Sequence, residues 1–259
     1  MLNTDQPNNK TARLAGLLYL IVVITSLFSL VYVPAGLGLR GNALQIVRSL
    51  HEDETLYRLG MMASVLCYTA FFLLPLVLYR LLSGYGRYAG ALMVTFALLS
   101  VPIALSNLRH QFEVLSLLND ANLLHIYSPR QLSAKIVLAL DQYASGLLVS
   151  KLFWGLWLAP FGYLVFKSGV LPKFLGILLM FGCVAYLVDL GGVVLVANYK
   201  HSFMGNYASM PAAVGEIAIG LWLLIMGAQR QSQRRPIEPQ PVNTLTAFPP
   251  RMTEPLKPR

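Results

Sequence analysis

The chain is organised as uncharged apolar runs of bilayer length. Leu14 to Val33, Leu59 to Tyr79 and Tyr88 to Leu108 contain no charged residue. Three further runs carry one charge each: Leu147 to Phe166 holds Lys151, Phe174 to Val196 holds Asp189, and Pro211 to Ala228 holds Glu216. About 20 apolar residues cross a hydrocarbon core roughly 30 Å thick. Lipid cannot satisfy backbone N–H and C=O groups, so each run must pair its own as a helix. The runs lack the period-two alternation of a membrane barrel. The expected fold is therefore all-α, a polytopic bundle of six transmembrane helices in residues 1–228.

Composition agrees. Only 12% of the 259 residues are charged and 56% are hydrophobic, against about 25% charged in soluble domains. This excludes an ordinary soluble domain, a disordered chain and a nucleic-acid-binding protein, despite a net charge of +9. The basic excess follows topology instead. With six spans both termini share one side. That side gathers Lys10, Arg13, Arg80, Arg87, Lys167 and Lys173, and the tail's Arg230, Arg234, Arg235, Arg251, Lys257 and Arg259. Lys and Arg concentrate in cytoplasmic flanks, so both termini are expected inside a bacterial cytoplasmic membrane. The first run is read as a retained helix, because a signal peptide's apolar region is only about 7–15 residues. Residues 229–259, with seven prolines, read as a disordered basic tail.

The segments outside the membrane are short. Leu44, Val47 and Leu50 have helical spacing, which predicts a short helix lying on the outer membrane surface. Residues 109–124 read as a continuation of the third helix, with Leu108, Phe112, Leu115 and Leu118 on one face. Ser128-Pro129-Arg130-Gln131 reads as a helix start with a capping box. Cys67 and Cys183 both lie inside apolar runs and are expected as buried free thiols.

The odd-numbered spans open alike: Arg13-Leu14-Ala15-Gly16, Arg87-Tyr88-Ala89-Gly90 and Lys173-Phe174-Leu175-Gly176. Each basic residue can reach headgroups, while the glycine one turn deeper admits a neighbouring helix. Pro75 and Pro160 precede Ser83-Gly84 and Ser168-Gly169 at equal spacing. Two explanations stand: three helical hairpins of common design, or positive-inside flanks and short turns that impose the likeness.

The opening Ala12-Arg13-Leu14-Ala15-Gly16-Leu17-Leu18-Tyr19-Leu20 joins a longer block. That block runs from Phe161-Gly162-Tyr163-Leu164 through Lys167-Ser168-Gly169 to Pro172-Lys173-Phe174-Leu175-Gly176. Ala185-Tyr186-Leu187-Val188-Asp189, Gly215-Glu216 and Leu221-Trp222-Leu223-Leu224 complete the set. Together they resemble a bacterial membrane-protein family catalogued as domain of unknown function 4386. The resemblance implies a six-helix inner-membrane protein and no particular activity. The chain departs from the family's pattern in lacking a histidine near Trp157 and an Arg-Gln pair within Leu98 to Ala104.

Intramembrane charges are the candidate site, since each costs about 2.5–3.5 kcal/mol on insertion scales. Counted from the basic flanks at 1.5 Å per residue, Lys151 and Asp189 stand ~24 Å deep and Glu216 ~21 Å. One cation at the level of two carboxylates leaves one carboxylate to find a proton, a cation or a ligand amine. Ser64 and Asn107 fall near the same level. The expected ligand-binding set is thus Lys151, Asp189, Glu216, Asn107 and Ser64. A structural role for these groups stands beside the binding role. His110 and Glu113 share a helical face and form a weak metal candidate that lacks the ligand count of a zinc site. No GxSxG elbow and no GxxxxGK loop occurs, so enzymatic activity ranks last and no cofactor is called for. Two functions remain. The bundle binds or moves a small molecule, ion or lipid at an outward-facing polar pocket, or it is a structural or regulatory membrane partner without its own ligand. The expected partners are the lipid bilayer and a small-molecule or ion ligand, with no nucleic acid.

Overall fold

The computed structural model describes residues 9–39, 41–199, 202, 205 and 210–228. The basic tail, with the disorder expected of it, lies outside the described residues. The elements are α1 (Asn9–Leu27), a π-helical segment (Phe28–Tyr32), α2 (Val33–Gly36), α3 (Ala43–Glu52), α4 (Glu54–Leu82), α5 (Arg87–Asn107) and α6 (Arg109–Asn119). They continue with α7 (Ala121–Ile126), α8 (Pro129–Leu156), α9 (Leu158–Ser168), α10 (Lys173–Leu195) and α11 (Met210–Ile225). Among the described residues no strand occurs. Five helical stretches are long and apolar enough to cross a membrane: Asn9–Gly36, Glu54–Tyr85, Arg87–Asn119, Pro129–Ser168 and Lys173–Leu195. A shorter apolar helix follows at Ala212–Ile225.

The helices close into a ring. α1 packs between α4 and α11, α4 against α5, α5 against α8 and α9, and α10 against α8, α9 and α11. Three glycines set the closest approaches. A Cβ on Gly16 would stand 2.3 Å from the Leu224 backbone nitrogen of α11, and one on Gly176 would stand 2.6 Å from the Gly162 carbonyl of α9. A Cβ on Gly90 would stand 3.0 Å from the Tyr79 ring of α4. The three basic-residue-plus-glycine openings thus each admit a helix, as their spacing predicts. Each of these glycines contacts the helix preceding it around the ring, with α11 preceding α1. Gly227 lies beside Asn9, so the start of α1 and the end of α11 share one end of the bundle.

Prolines shape the long helices. Pro160 has no N–H for the Leu156 carbonyl, and the helix is interrupted there at Trp157, with Phe161 resuming the ladder to Trp157 O at 3.2 Å. Pro34 would likewise crowd the carbonyl four residues back. The helix answers by widening, and Val33 N bonds to Phe28 O across a π turn. Gly169, at φ 62°, ends α9 in the left-handed conformation that a β-carbon disfavours.

The core is double. One cluster surrounds the fully buried Trp157, which meets Phe71 edge-on and stacks on Phe161, both at 5.2 Å. The other, at the end far from the termini, joins Val33, Leu37, Ile46, Leu50, Tyr57, Val114, Leu118, Leu132 and Ile136. α3 exists as its spacing predicts, and it docks Ile46 and Leu50 onto this second cluster, packing on α4 and α8, while Leu44 is 62% exposed. The next expectation is corrected in part. The extension of the third span bends at Leu108 and breaks at Asp120. It buries Gln111, Val114, Leu115, Leu117 and Leu118 and leaves Phe112 exposed. The start of α8 is as expected: Ser128 and Gln131 form a reciprocal capping box with Pro129 in the first turn.

Candidate functional site

α8 and α10 are neighbours, and Gly155, one turn beyond Lys151, lets them approach. A Cβ there would come within 2.9 Å of the Tyr186 Cβ. At this contact the Lys151 ammonium donates to Asp189 Oδ2 at 2.9 Å. The aspartate side chain is 6% exposed and the lysine 29%. α10 runs unbroken through Gly191 and Gly192, and the Tyr199 ring folds back over Gly192. Asp189 is therefore held inside a helix and covered, with its one close cation among the described residues on the adjoining helix. Burying a unit charge is costly without a partner, so each of these two groups retains the other.

Glu216 is separate from this pair. Among the described residues no basic side chain lies within ion-pair distance of it. It faces a cavity of about 140 Å³ walled by Tyr19, Val22, Val23 and Ser26 of α1, Leu30 of the π segment, and Cys67, Tyr68 and Phe71 of α4. Trp154, Trp157 and Tyr186 complete the wall. The Tyr19 hydroxyl and the Trp157 indole N–H are buried there without a hydrogen-bond partner. Buried donors in native proteins are ordinarily paired with protein or water. Both residues line the cavity, while the two donor atoms themselves are covered. Tyr19 is six residues beyond Arg13, so the cavity reaches to ~9 Å from that flank and extends past mid-membrane towards Leu30.

A second, larger cavity of about 650 Å³ lies at the far end, between the π segment, α2 and α3. Its wall includes Leu30, Val31, Pro34, Gln45 and Arg48. Leu30 is common to both cavities. It stands where the π turn widens the backbone.

Ser64 and Asn107 belong to a third place, the seam of α4, α5 and α8. The Ser64 hydroxyl donates to Gly60 O at 3.1 Å. The Asn107 amide donates to the Tyr143 carbonyl at 2.8 Å, against Gly146, where a Cβ would stand 1.9 Å from Asn107 Oδ1. Here Asn107 ties two helices through backbone. His110 Nδ1 lies 3.6 Å from Glu113 Oε2, and among the described residues no third metal-ligating side chain joins them. Cys67 and Cys183 are both free and buried.

The five residues expected at one site are thus brought to three: an ion pair, a cavity carboxylate and a helix seam. Sequence reasoning missed the cavity's aromatic wall. A signal existed. Tyr and Trp favour the membrane interfaces, yet Tyr19, Trp154 and Trp157 fall inside apolar runs, and Trp154, Trp157 and Phe161 recur at helical spacing.

No curated protein and no solved structure matches the chain. A family model does, over residues 14–227, from the first turns of α1 to just beyond α11. The match takes in the glycines of the three openings, the Lys151–Asp189 pair and the cavity carboxylate alike. On that coverage, the chain belongs to the family described as domain of unknown function (DUF4386).

Proposed function

We propose that this is a six-span protein of the bacterial cytoplasmic membrane, with both termini inside, that binds a small molecule or ion in the Glu216 cavity. The observation that carries the reading is a carboxylate on an aromatic-walled cavity with, among the described residues, no basic side chain on the wall. Lys151 is already paired with Asp189, so Glu216 must find its counterpart elsewhere. The sixth span in this reading is α11. Its 16 residues reach ~24 Å, and short spans are accommodated by local thinning and by their flanks. The adjacency of Asn9 and Gly227 fits an even number of crossings. The glycine contacts repeated around the ring fit three hairpins of common design. The basic flanks put the shared Leu30 wall on the outer side, which makes the larger cavity a vestibule and Leu30 its inner gate. The saturated Lys151–Asp189 pair, by contrast, serves the bundle's structure.

Topology is tested by a cysteine at Asn198, which should react with an impermeant reagent from outside the cell, while reporters fused at Asn8 and Gln240 should be active inside. An outward C-terminus overturns the arrangement. Access is tested on Cys67, which lines the cavity, in a Cys183→Ser background. Small membrane-impermeant thiol reagents applied outside should label Cys67 slowly. Leu30→Ala should speed the labelling and Leu30→Trp should stop it. Labelling that ignores Leu30, or that occurs only from the cytoplasmic side, defeats the outward-facing reading.

A further inference from the structure

We propose that the ligand of the Glu216 cavity is a small organic monocation, an ammonium compound, seated between the Glu216 carboxylate and the surrounding rings. The inference rests on the binding reading above and names its substrate class.

Charge comes first. The cavity carries one carboxylate and, among the described residues, no basic side chain on its wall. Lys151 is engaged 2.9 Å from Asp189. An anion would meet a like charge, and a neutral ligand would leave the carboxylate uncompensated in a low-dielectric interior. A monocation restores neutrality.

The wall then selects among cations. Hard metal ions take six or more oxygen ligands. This cavity offers the Glu216 carboxylate, while the rest of its wall is mostly aromatic and aliphatic. Among the described residues no group of three metal-ligating side chains occurs. Tyr19, Tyr68, Phe71, Trp154, Trp157 and Tyr186 instead supply ring faces and edges on several sides. Aromatic rings attract weakly hydrated organic cations through their quadrupoles, and cages of this kind recognise quaternary ammonium groups. A bare proton on Glu216 would need no room. The cavity's 140 Å³ equals about four or five waters of liquid volume, which fits an ammonium of choline size.

The test uses the full chain purified in detergent, with three probes at equal ionic strength. These are choline, its neutral carbon isostere 3,3-dimethylbutan-1-ol, and sodium chloride. Tryptophan fluorescence and the thermal midpoint report binding, since Trp154 and Trp157 line the cavity. Choline should raise the midpoint and change the fluorescence saturably, with the isostere at least tenfold weaker and sodium without effect. Glu216→Gln should lose at least tenfold in choline affinity, and Glu216→Asp should keep part of it, which separates charge from folding. Phe71→Leu and Trp154→Leu should weaken choline while leaving Cys67 labelling intact. Equal binding of choline and the isostere, undiminished binding by Glu216→Gln, or a sodium effect equal to choline's overturns the monocation. So does an absence of choline binding in protein whose Cys67 is accessible from outside, and the cavity reading then survives without it. If Cys67 is inaccessible and no probe binds, both readings fall.

Discussion

Lys151→Met should lower the thermal midpoint of the detergent-solubilised protein by roughly 6–20 °C. Breaking a buried pair by removing one partner costs about 3–5 kcal/mol, and each kcal/mol moves the midpoint of a chain this size by about 2–4 °C. The loss comes from Asp189, which is 6% exposed and would keep its charge with no counterion. Lys151→Met combined with Asp189→Asn should therefore recover a large part of the loss, because removing both charges also removes the desolvation each suffers. Lys151→Met combined with Glu216→Gln should be additive, since Glu216 faces a cavity that the pair does not line and has no ion pair with the ammonium. Thermal unfolding of the parent, three single and two double variants reads the coupling directly. Additivity in both doubles would show that the 2.9 Å contact contributes nothing. Coupling to Glu216 instead of Asp189 would show that the two carboxylates are wrongly apportioned.

The second large effect is steric. Gly16→Val should destabilise the protein by at least the 1–3 kcal/mol typical of overpacking, because its Cβ falls within 2.8 Å of three backbone atoms of Leu223 and Leu224. Backbone cannot rotate away as a side chain can, so α1 and α11 must separate. Gly162→Val should act alike at the α9–α10 crossing, where a Cβ meets the Gly176 carbonyl at 2.5 Å. Gly191→Ala is the control of opposite sign. Nothing lies within 4 Å of its added carbon, and glycine is less favourable than alanine inside a helix by about 1 kcal/mol. Midpoints that fall at Gly16 and Gly162 and hold or rise at Gly191 support the ring as described. Equal effects at all three positions would contradict it.

These residues also show what the sequence makes legible. The apolar runs define the helices, because lipid leaves backbone no alternative. Ser128 and Gln131 announce their cap because capping is local. The glycines of the three openings are readable because only a close neighbour rewards the missing side chain. Height is readable too, since a helix is a ruler, and it brings Lys151 and Asp189 to one level. Azimuth is not. Rotation about a helix axis depends on partners distant in sequence, so counting residues could not separate Glu216 from the pair, or send Asn107 to Gly146. The Leu108 bend shows how local the failure is. Leu115 and Leu118 beyond it are buried as periodicity predicts, while Phe112, in the first turn after it, is exposed. The aromatic wall was hidden for another reason. Its members come from α1, α4, α8, the α8–α9 junction and α10, so the helical spacing of Trp154 and Trp157 shows only one side of it.

The contact of Gly16 with Leu224 bears on how the protein is made. Helices enter the membrane in order of synthesis, so α1 is in place while more than two hundred residues remain to be added. Its seam for α11 stays open through that time, presenting Gly16 and Tyr19 to lipid or to an assembly factor. Long-range contacts of this kind form late and leave intermediates exposed. Tyr19 comes from the first helix and Glu216 from the last, so the cavity cannot exist on a chain whose translation stopped early. A truncated product would lack the carboxylate and expose the seam together. Formation of the cavity and closure of the seam thus share one requirement, that synthesis has passed α11.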